Sequence, residues 1–147
     1  MINCQINTEE IDKFNKKNYN HTYGELTYDG IKTIINMVIN HIKTSNLKNY
    51  TFYDLGCGSA NTLKYACELA NFKKLIGIEF SKTRYNIAIN NINNNCNVEL
   101  INNDILSPKI KYNKPKSVLY ISNLCFSDNI NVKLARKLSK ELKNNSI

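Results

Sequence analysis

The segment at residues 51–61, TFYDLGCGSAN, constrains this chain more than any other. A short aromatic and apolar run ends in the acid Asp54, and Gly56 and Gly58 then precede a helical pattern. Glycines tolerate positive φ and let the backbone approach a ligand closely. The following helix presents free N–H groups at its positive end. This order of strand, glycine loop and helix predicts a nucleotide-type cofactor site in an open α/β sheet.

Two positions in this segment narrow the choice of cofactor. A dinucleotide-binding fingerprint has a third glycine where this chain has Asn61. The carboxylate of Asp54 would repel a pyrophosphate, but it suits the cationic amino-acid end of S-adenosylmethionine. We therefore predict an S-adenosylmethionine site that includes Asp54, Gly56, Gly58 and Asn61. A tight turn in an unrelated α/β domain is the alternative, because short glycine motifs recur by accident.

Helical and strand patterns alternate along the rest of the chain. Helical spacing of apolar residues marks 8–17, with Thr8 as cap, and 28–43. Strand patterns at 51–54, 75–80, 98–101 and 118–121 alternate with further helices, the last patterned by Val132, Ala135, Leu138 and Leu142. Such alternation predicts a parallel sheet with right-handed crossovers. We expect one Rossmann-like α/β domain over 1–147, with N-terminal helices and a loop at 1–45 and a core at 51–147.

Polar side chains follow each of the four predicted strands. They are Asp54, Glu79, Asp104 and Asn123. Ligands of open α/β sheets bind at the carboxyl ends of the strands, where an acid after the second strand accepts hydrogen bonds from ribose hydroxyls. Glu79 fits that role, although it, or Ser81, could instead cap the next helix. Asp104 could face an adenine or serve as a turn residue. Together the four positions predict a class I methyltransferase.

Five short motifs then occur in a familiar order. They are Thr22-Tyr23-Gly24-Glu25, Asp54-Leu-Gly-Cys-Gly58, Gly77-Ile-Glu79, Asp104-Ile-Leu and Ser122-Asn123-Leu-Cys-Phe126. From about residue 20 to the end, the chain resembles the disruptor-of-telomeric-silencing family of non-SET histone lysine methyltransferases. The resemblance implies that Tyr23, Gly24 and Glu25 close over the methionine part of the cofactor, and Thr22 beside them is expected to bind the cofactor as well. It also implies that Asn123, Phe126 and Tyr23 are catalytic residues beside a lysine channel, with Asn123 contacting the cofactor too, although the two aromatic residues could equally belong to the core. The family pattern Asn-Asn-Phe-x-Phe is only partly matched, since Ser122 and Leu124 replace its first Asn and first Phe.

The resemblance implies a function and leaves two alternatives open. It implies S-adenosylmethionine-dependent N-methylation of a protein lysine, with a histone or nucleosome as partner. One alternative is a methyltransferase for an amine on a nucleic acid or small molecule, although the Asn/Asp-Pro-Pro-aromatic motif of amino-methyltransferases is missing after the fourth strand. The other is a truncated, non-catalytic binding module, because a complete class I sheet has seven strands and four are counted here.

Charge and composition limit which partners and which compartment the chain can have. The net charge of +8 is concentrated in residues 107–147, where nine basic residues stand against two acids. Basic residues 109–143 predict contact with nucleic acid or an acidic protein surface, with a solvated lysine-rich face as the alternative. No apolar run approaches the ~20 residues that span a bilayer, so we expect no membrane association. Five cysteines without metal-type spacing predict reduced thiols, an intracellular compartment and no metal site.

Overall fold

Four parallel strands form the centre of the computed structural model, which describes residues 4–92, 96–143 and 146–147. The strands are β1 (Thr51–Leu55), β2 (Lys74–Glu79), β3 (Val98–Asn102) and β4 (Ser117–Ile121). Their order in the sheet is β3-β2-β1-β4, and every neighbouring pair is parallel. This arrangement brings the carboxyl ends of all four strands to one edge. It confirms the predicted Rossmann-like α/β sheet.

Five helices accompany the sheet in the described part of the chain. They are α1 (Thr8–Lys16), α2 (Tyr28–Ile42), α3 (Asn61–Leu69), α4 (Lys82–Asn91) and α5 (Asp128–Glu141). The predicted cap of α1 is wrong by one residue. The side chain of Asn7, not Thr8, accepts the N–H of Glu10 at 2.9 Å, because Asn7 has the extended backbone that lets a capping oxygen reach the first turn.

The core lies on both faces of the sheet. All five residues of β1 are buried, as expected for a central parallel strand that helices cover on both sides. Phe52 packs in a cluster with residues of α2, α3 and α4. Tyr53 belongs to a second cluster that includes Leu134 of α5 and Tyr112. The sheet therefore has α2, α3 and α4 on one face and α5 on the other.

The buried face of α5 differs from the predicted one. Ile130 and Leu134 are its buried residues, whereas Val132 is 48% exposed and Ala135 is exposed as well. Leu138 and Leu142 do pack against the core, so that half of the prediction is confirmed. Two overlapping apolar stripes run along this helix at helical spacing. Only its packing against the sheet selects between them.

The outer edge of β4 has a further partner. The N–H of Ile147 donates to Ser117 O at 2.8 Å, and Ile147 O accepts the N–H of Leu119 at 2.8 Å. These two bonds continue the ladder beyond β4.

The cysteines do not all behave as predicted. Cys67 of α3 and Cys96 form a disulfide with their Cα atoms 6.2 Å apart, within the usual range for such a bond. Both residues pack against the same core cluster, which brings them together across 29 positions of sequence. The prediction that every cysteine is a reduced thiol is therefore wrong for this pair. Cys4, Cys57 and Cys125 are free thiols.

Membrane spans and metal clusters are both absent from the described residues. Within residues 4–92, 96–143 and 146–147, no helix is long and apolar enough to cross a bilayer. Nor do these ranges contain a group of three His, Cys, Asp or Glu side chains able to hold a metal ion.

Candidate cofactor site

The glycine loop after β1 lies at the carboxyl edge of the sheet. The N–H groups of Gly56 and Cys57 donate to Ile78 O of β2 at 2.8 and 3.1 Å. Gly56 and Gly58 both have positive φ, at 87° and 53°. A Cβ on Gly58 would also clash with the ring of Tyr23. Glycine is thus required at position 58 both by the backbone conformation and by the close approach of an aromatic ring.

Asp54, just before this loop, has a buried carboxylate whose hydrogen-bonding capacity is not fully used. Its side chain is 2% exposed, and its Oδ2 has no hydrogen-bond partner among the described residues. Burial, followed by the nearby charge of Glu79, raises the pKa of Asp54 to about 7, although the Thr62 hydroxyl opposes the shift. Asp54 lines a small cavity together with Gly24 and Asn61. A buried acceptor without a donor, facing a cavity, fits a cationic ligand group.

Glu79 connects the end of β2 to two backbone segments. Its Oε2 accepts the N–H of Gly58 at 2.9 Å, and its Oε1 accepts the N–H of Ser81 at 2.7 Å. Burial raises the pKa of Glu79, although these hydrogen bonds and the charge of Arg84 oppose the shift. The Ser81 hydroxyl accepts the N–H of Arg84 at 3.1 Å and caps α4. Ser81 is thus the cap, and Glu79 supports the glycine loop while lining a cavity of ≈ 170 Å³.

The predicted closing loop contacts the glycine loop directly. The Tyr23 hydroxyl accepts the N–H of Ser59 at 3.1 Å and donates to Glu25. Glu25 also accepts from the Ser59 hydroxyl, and from Asn61 Nδ2 at 2.8 Å. Burial alone would raise the pKa of Glu25, but the hydrogen bonds from Ser59, Tyr23 and Asn61 outweigh it and lower the pKa. Thr22, which the sequence grouped with this loop, is exposed and its hydroxyl donates to Asn20 at 2.7 Å.

Asp104 fastens a longer N-terminal segment to the same edge. Its carboxylate accepts from Lys17 Nζ at 2.7 Å, from the Tyr19 hydroxyl at 2.9 and 3.0 Å, and from the N–H of Leu106 at 2.8 Å. The bond to Leu106 is the turn role that the sequence left open. We call residues 17–25 the strap, because they run from Asp104 to the glycine loop. Sequence reasoning missed Lys17 and Tyr19, and no local pattern identifies them.

Arg84 is a third residue that the sequence motifs did not indicate. It is 6% exposed on α4, and its guanidinium donates to two main-chain carbonyls of the N-terminal region. Its position four residues before the buried Ala88 places it on the inward face of the helix. A charged residue at such a buried position was the signal that could have marked it.

Some residues of the segment after β4 line the site, and others do not. Phe126 lines the ≈ 170 Å³ cavity, and its Cζ lies 3.8 Å from the position that a Cβ of Gly56 would take. Leu124 is 95% exposed at the rim of this cavity. Asn123 is exposed and its Nδ2 donates to Asn131 at 3.3 Å. Within the described part of the chain, Asn123 is not among the residues that line this cavity or the smaller one beside Asp54.

The family of this chain follows from a sequence comparison. Residues 3–146 match the sequence model of the family described as histone methylation protein DOT1. The chain belongs to this family. The resemblance drawn from the five motifs is therefore confirmed over nearly the whole chain. No match was found among curated proteins.

Solved structures share the fold. A putative S-adenosyl-L-methionine-dependent methyltransferase from Methanococcus maripaludis aligns with a TM-score of 0.61 at 19% identity, over 92% of this chain and 57% of that one. The plantazolicin methyltransferase BpumL, in complex with SAH, gives 0.60 at 25% identity over 78% and 42%. PKMT2 from Rickettsia typhi, in complex with AdoHcy, gives 0.53 at 28% identity over 68% and 20%.

The chain corresponds to only part of the length of each of these solved structures. The chain spans 57%, 42% and 20% of the lengths of the three structures. The comparisons establish a class I methyltransferase fold, which agrees with the predicted fold class.

Proposed function

We propose that this chain binds S-adenosylmethionine between the glycine loop and the strap, and that it serves methyl transfer to a lysine amine of a protein. The observation that carries the proposal is the buried carboxylate of Asp54, which faces a cavity with one oxygen unpartnered among the described residues. A cationic ammonium group would satisfy it. The bound SAH and AdoHcy named for BpumL and PKMT2 support this choice of ligand.

Other residues of the edge fit the rest of the cofactor. Glu79 already accepts two N–H groups, but a carboxylate has about four acceptor positions and can accept ribose hydroxyls as well. We propose that Asp104, which lines the same cavity, accepts from the adenine amino group in competition with Lys17 and Tyr19. The remaining cofactor contacts that we propose are Thr22, Tyr23, Gly24, Glu25, Gly56, Gly58, Asn61 and Asn123.

The chemistry requires alignment more than acid–base catalysis. The sulfonium of S-adenosylmethionine supplies an activated methyl group, so the protein mainly excludes water and orients the acceptor. A lysine must lose its proton to attack, and an apolar aromatic surface lowers the pKa of an amine. Phe126 and Tyr23 both line the larger cavity, and we propose these two as the aromatic lining. Asn123, which lines neither of the two cavities, is proposed as a contact for the approaching acceptor outside them.

The proposed acceptor class is a histone lysine, for which the family description is the support. A nucleosome also offers DNA, and the +7 charge of residues 107–147 suits a phosphate-rich surface. One lysine of that region, Lys133, lines a groove of ≈ 710 Å³ together with Lys13, Lys17 and Lys82. We therefore propose that basic residues 109–143 assist docking on nucleosomal DNA.

Calorimetric titration with S-adenosylmethionine and S-adenosylhomocysteine tests the cofactor site. We expect micromolar binding, about −8 kcal/mol, that is lost in Asp54→Ala and Glu79→Ala. Glu68→Gln, an exposed acid on α3, is the matched control and should bind as the wild type does. A folded wild-type chain that binds neither ligand would refute the proposal.

A second assay tests the acceptor. Radiolabelled methyl transfer is compared on nucleosomes, free histones, DNA and a small primary amine. Transfer to a lysine of nucleosomes supports the histone proposal. Cofactor binding without transfer to any protein would instead identify a non-catalytic module, and transfer to DNA alone would identify a nucleic-acid methyltransferase.

A further inference from the structure

Arg84 of α4 connects this helix to two separate stretches of the N-terminal region. Its Nε donates to Cys4 O at 3.1 Å, and its Nη2 donates to His21 O at 2.5 Å. An arginine stays charged even when it is buried, and a buried charge is costly unless it is hydrogen-bonded. The burial of Arg84 is therefore tolerated only while these carbonyls, one of them in the strap, stay in place.

The guanidinium also supports the aromatic ring that covers the glycine loop. The guanidinium carbon lies 4.9 Å from the centre of the Tyr23 ring, within the range of a cation–π contact. On its far edge, the Tyr23 hydroxyl accepts the N–H of Ser59. Arg84, the ring of Tyr23 and the glycine loop therefore form one stack at the cofactor site.

The first helix is held to α4 by Glu10 as well as by the Arg84 guanidinium, whose carbon lies 6.0 Å from the centre of the Phe14 ring. Glu10 accepts from the Ser81 hydroxyl at 3.0 Å, from the N–H of Thr83 at 3.2 Å and from the Thr83 hydroxyl. At its other end, the strap is held by Asp104. Loss of the Arg84 contacts should consequently release the middle of the strap, at His21 to Tyr23, without detaching α1.

We infer that Arg84 is a positioning residue of the cofactor site, whose guanidinium holds the His21 carbonyl and the Tyr23 ring, and with them the strap, against the glycine loop. This inference rests on the proposed function, since closure of the strap matters when an adenosyl ligand lies beneath it. A lysine at this position keeps the charge, but its single ammonium lacks the planar face and the rigid fork of donors.

Hydrogen exchange compares wild type with Arg84→Lys, first in the unbound chain. Charge-assisted hydrogen bonds are the stronger class, so we expect strap peptides to exchange about ten- to hundredfold faster, while peptides from β1 and β2 stay unchanged. Arg136→Lys, the same substitution at an exposed position of α5, is the matched control and should change neither. In the bound chain, S-adenosylhomocysteine should dissociate faster from Arg84→Lys by a similar factor.

Two results would overturn the inference. One is unchanged exchange of the strap in Arg84→Lys. The other is equal acceleration in the strap, β1 and β2, which would show that Arg84 only stabilises the fold. A wild-type chain that does not bind S-adenosylhomocysteine contradicts the proposed function instead, and the exchange of the unbound chain still decides whether Arg84 holds the strap.

Discussion

Replacing Asp54 with asparagine should stabilise the unbound protein while it removes cofactor binding. The pKa of Asp54 is raised from 3.8 to about 7 in the folded chain, chiefly by burial. A carboxyl group with a raised folded pKa stabilises the fold fully below its unfolded pKa. That contribution is lost as pH rises from about 4 to about 7. Above pH 7 the ionised Asp54 therefore opposes folding, whereas the neutral amide of an asparagine would not.

The magnitude follows from the size of this shift. A difference of about 3 pKa units corresponds to about 4 kcal/mol at 1.36 kcal/mol per unit. Relaxation around the charge reduces the measured effect, so we expect Asp54→Asn to gain about 2–4 kcal/mol in the free energy of unfolding at pH 8. For a domain of this size, the midpoint of thermal unfolding should rise by roughly 4–16 °C. At pH 4 the gain should disappear.

The assay is urea unfolding of both proteins without ligand at pH 4, 6 and 8, followed by titration with S-adenosylmethionine at pH 8. Glu68→Gln is the control for removing a negative charge from the surface. If Asp54→Asn is no more stable than the wild type at pH 8, the ionised carboxylate does not destabilise the unbound fold. The argument that Asp54 needs a cationic ligand group as its partner would then be refuted.

Three further predictions concern affinity, the loop and the disulfide. Because a cofactor ammonium would lower the pKa of Asp54 from about 7, affinity should fall about tenfold between pH 7.5 and pH 6, and the Glu68→Gln control should show the same dependence. Gly58→Ala should weaken cofactor binding and lose about 1–3 kcal/mol of stability in urea unfolding, because Gly58 has positive φ and lies against Tyr23. Gly24→Ala, at a glycine with no described atom within 4 Å of its would-be Cβ, should leave the stability of the unbound chain nearly unchanged, and a similar loss of stability in both variants would contradict the reasoning. Reduction of the Cys67–Cys96 disulfide, which closes a loop of 29 positions, should lower the unfolding free energy by about 3–4 kcal/mol, and a Cys96→Ser variant should be insensitive to reductant.

The sheet and its ligand-facing edge could be predicted because their signals are local. Asp54, Gly56 and Gly58 lie next to one another in sequence, and the turn they form requires those residue types. Glu79 ends β2 and Asp104 follows β3, and the parallel pairing of these strands follows from the alternation of elements. Local patterns therefore located the carboxyl edge and the residues that converge on it.

Residues that act across long sequence distances could not be predicted in the same way. Lys17 meets Asp104, and Arg84 meets Cys4 and His21, only after the N-terminal region has folded over the sheet. The same limit explains the disulfide, whose partners share no motif. It also explains the face of α5, where two apolar stripes fit one period and tertiary packing makes the selection.

The site concentrates negative charge that the fold alone does not neutralise. Asp54 and Glu79 are both buried, the charge of Glu79 adds to the cost of ionising Asp54, and burial raises the pKa of both. Arg84 offsets part of this charge at Glu79, whereas Asp54 has no such partner among the described residues. A cationic ligand group that pairs with Asp54 would therefore remove the free-energy cost of its unpartnered carboxylate. Ligand binding should then stabilise the folded chain by more than the ligand's contacts with neutral groups alone would. In our proposal, the residue that opposes folding of the unbound protein is thus the one that gives the site its preference for a positively charged cofactor.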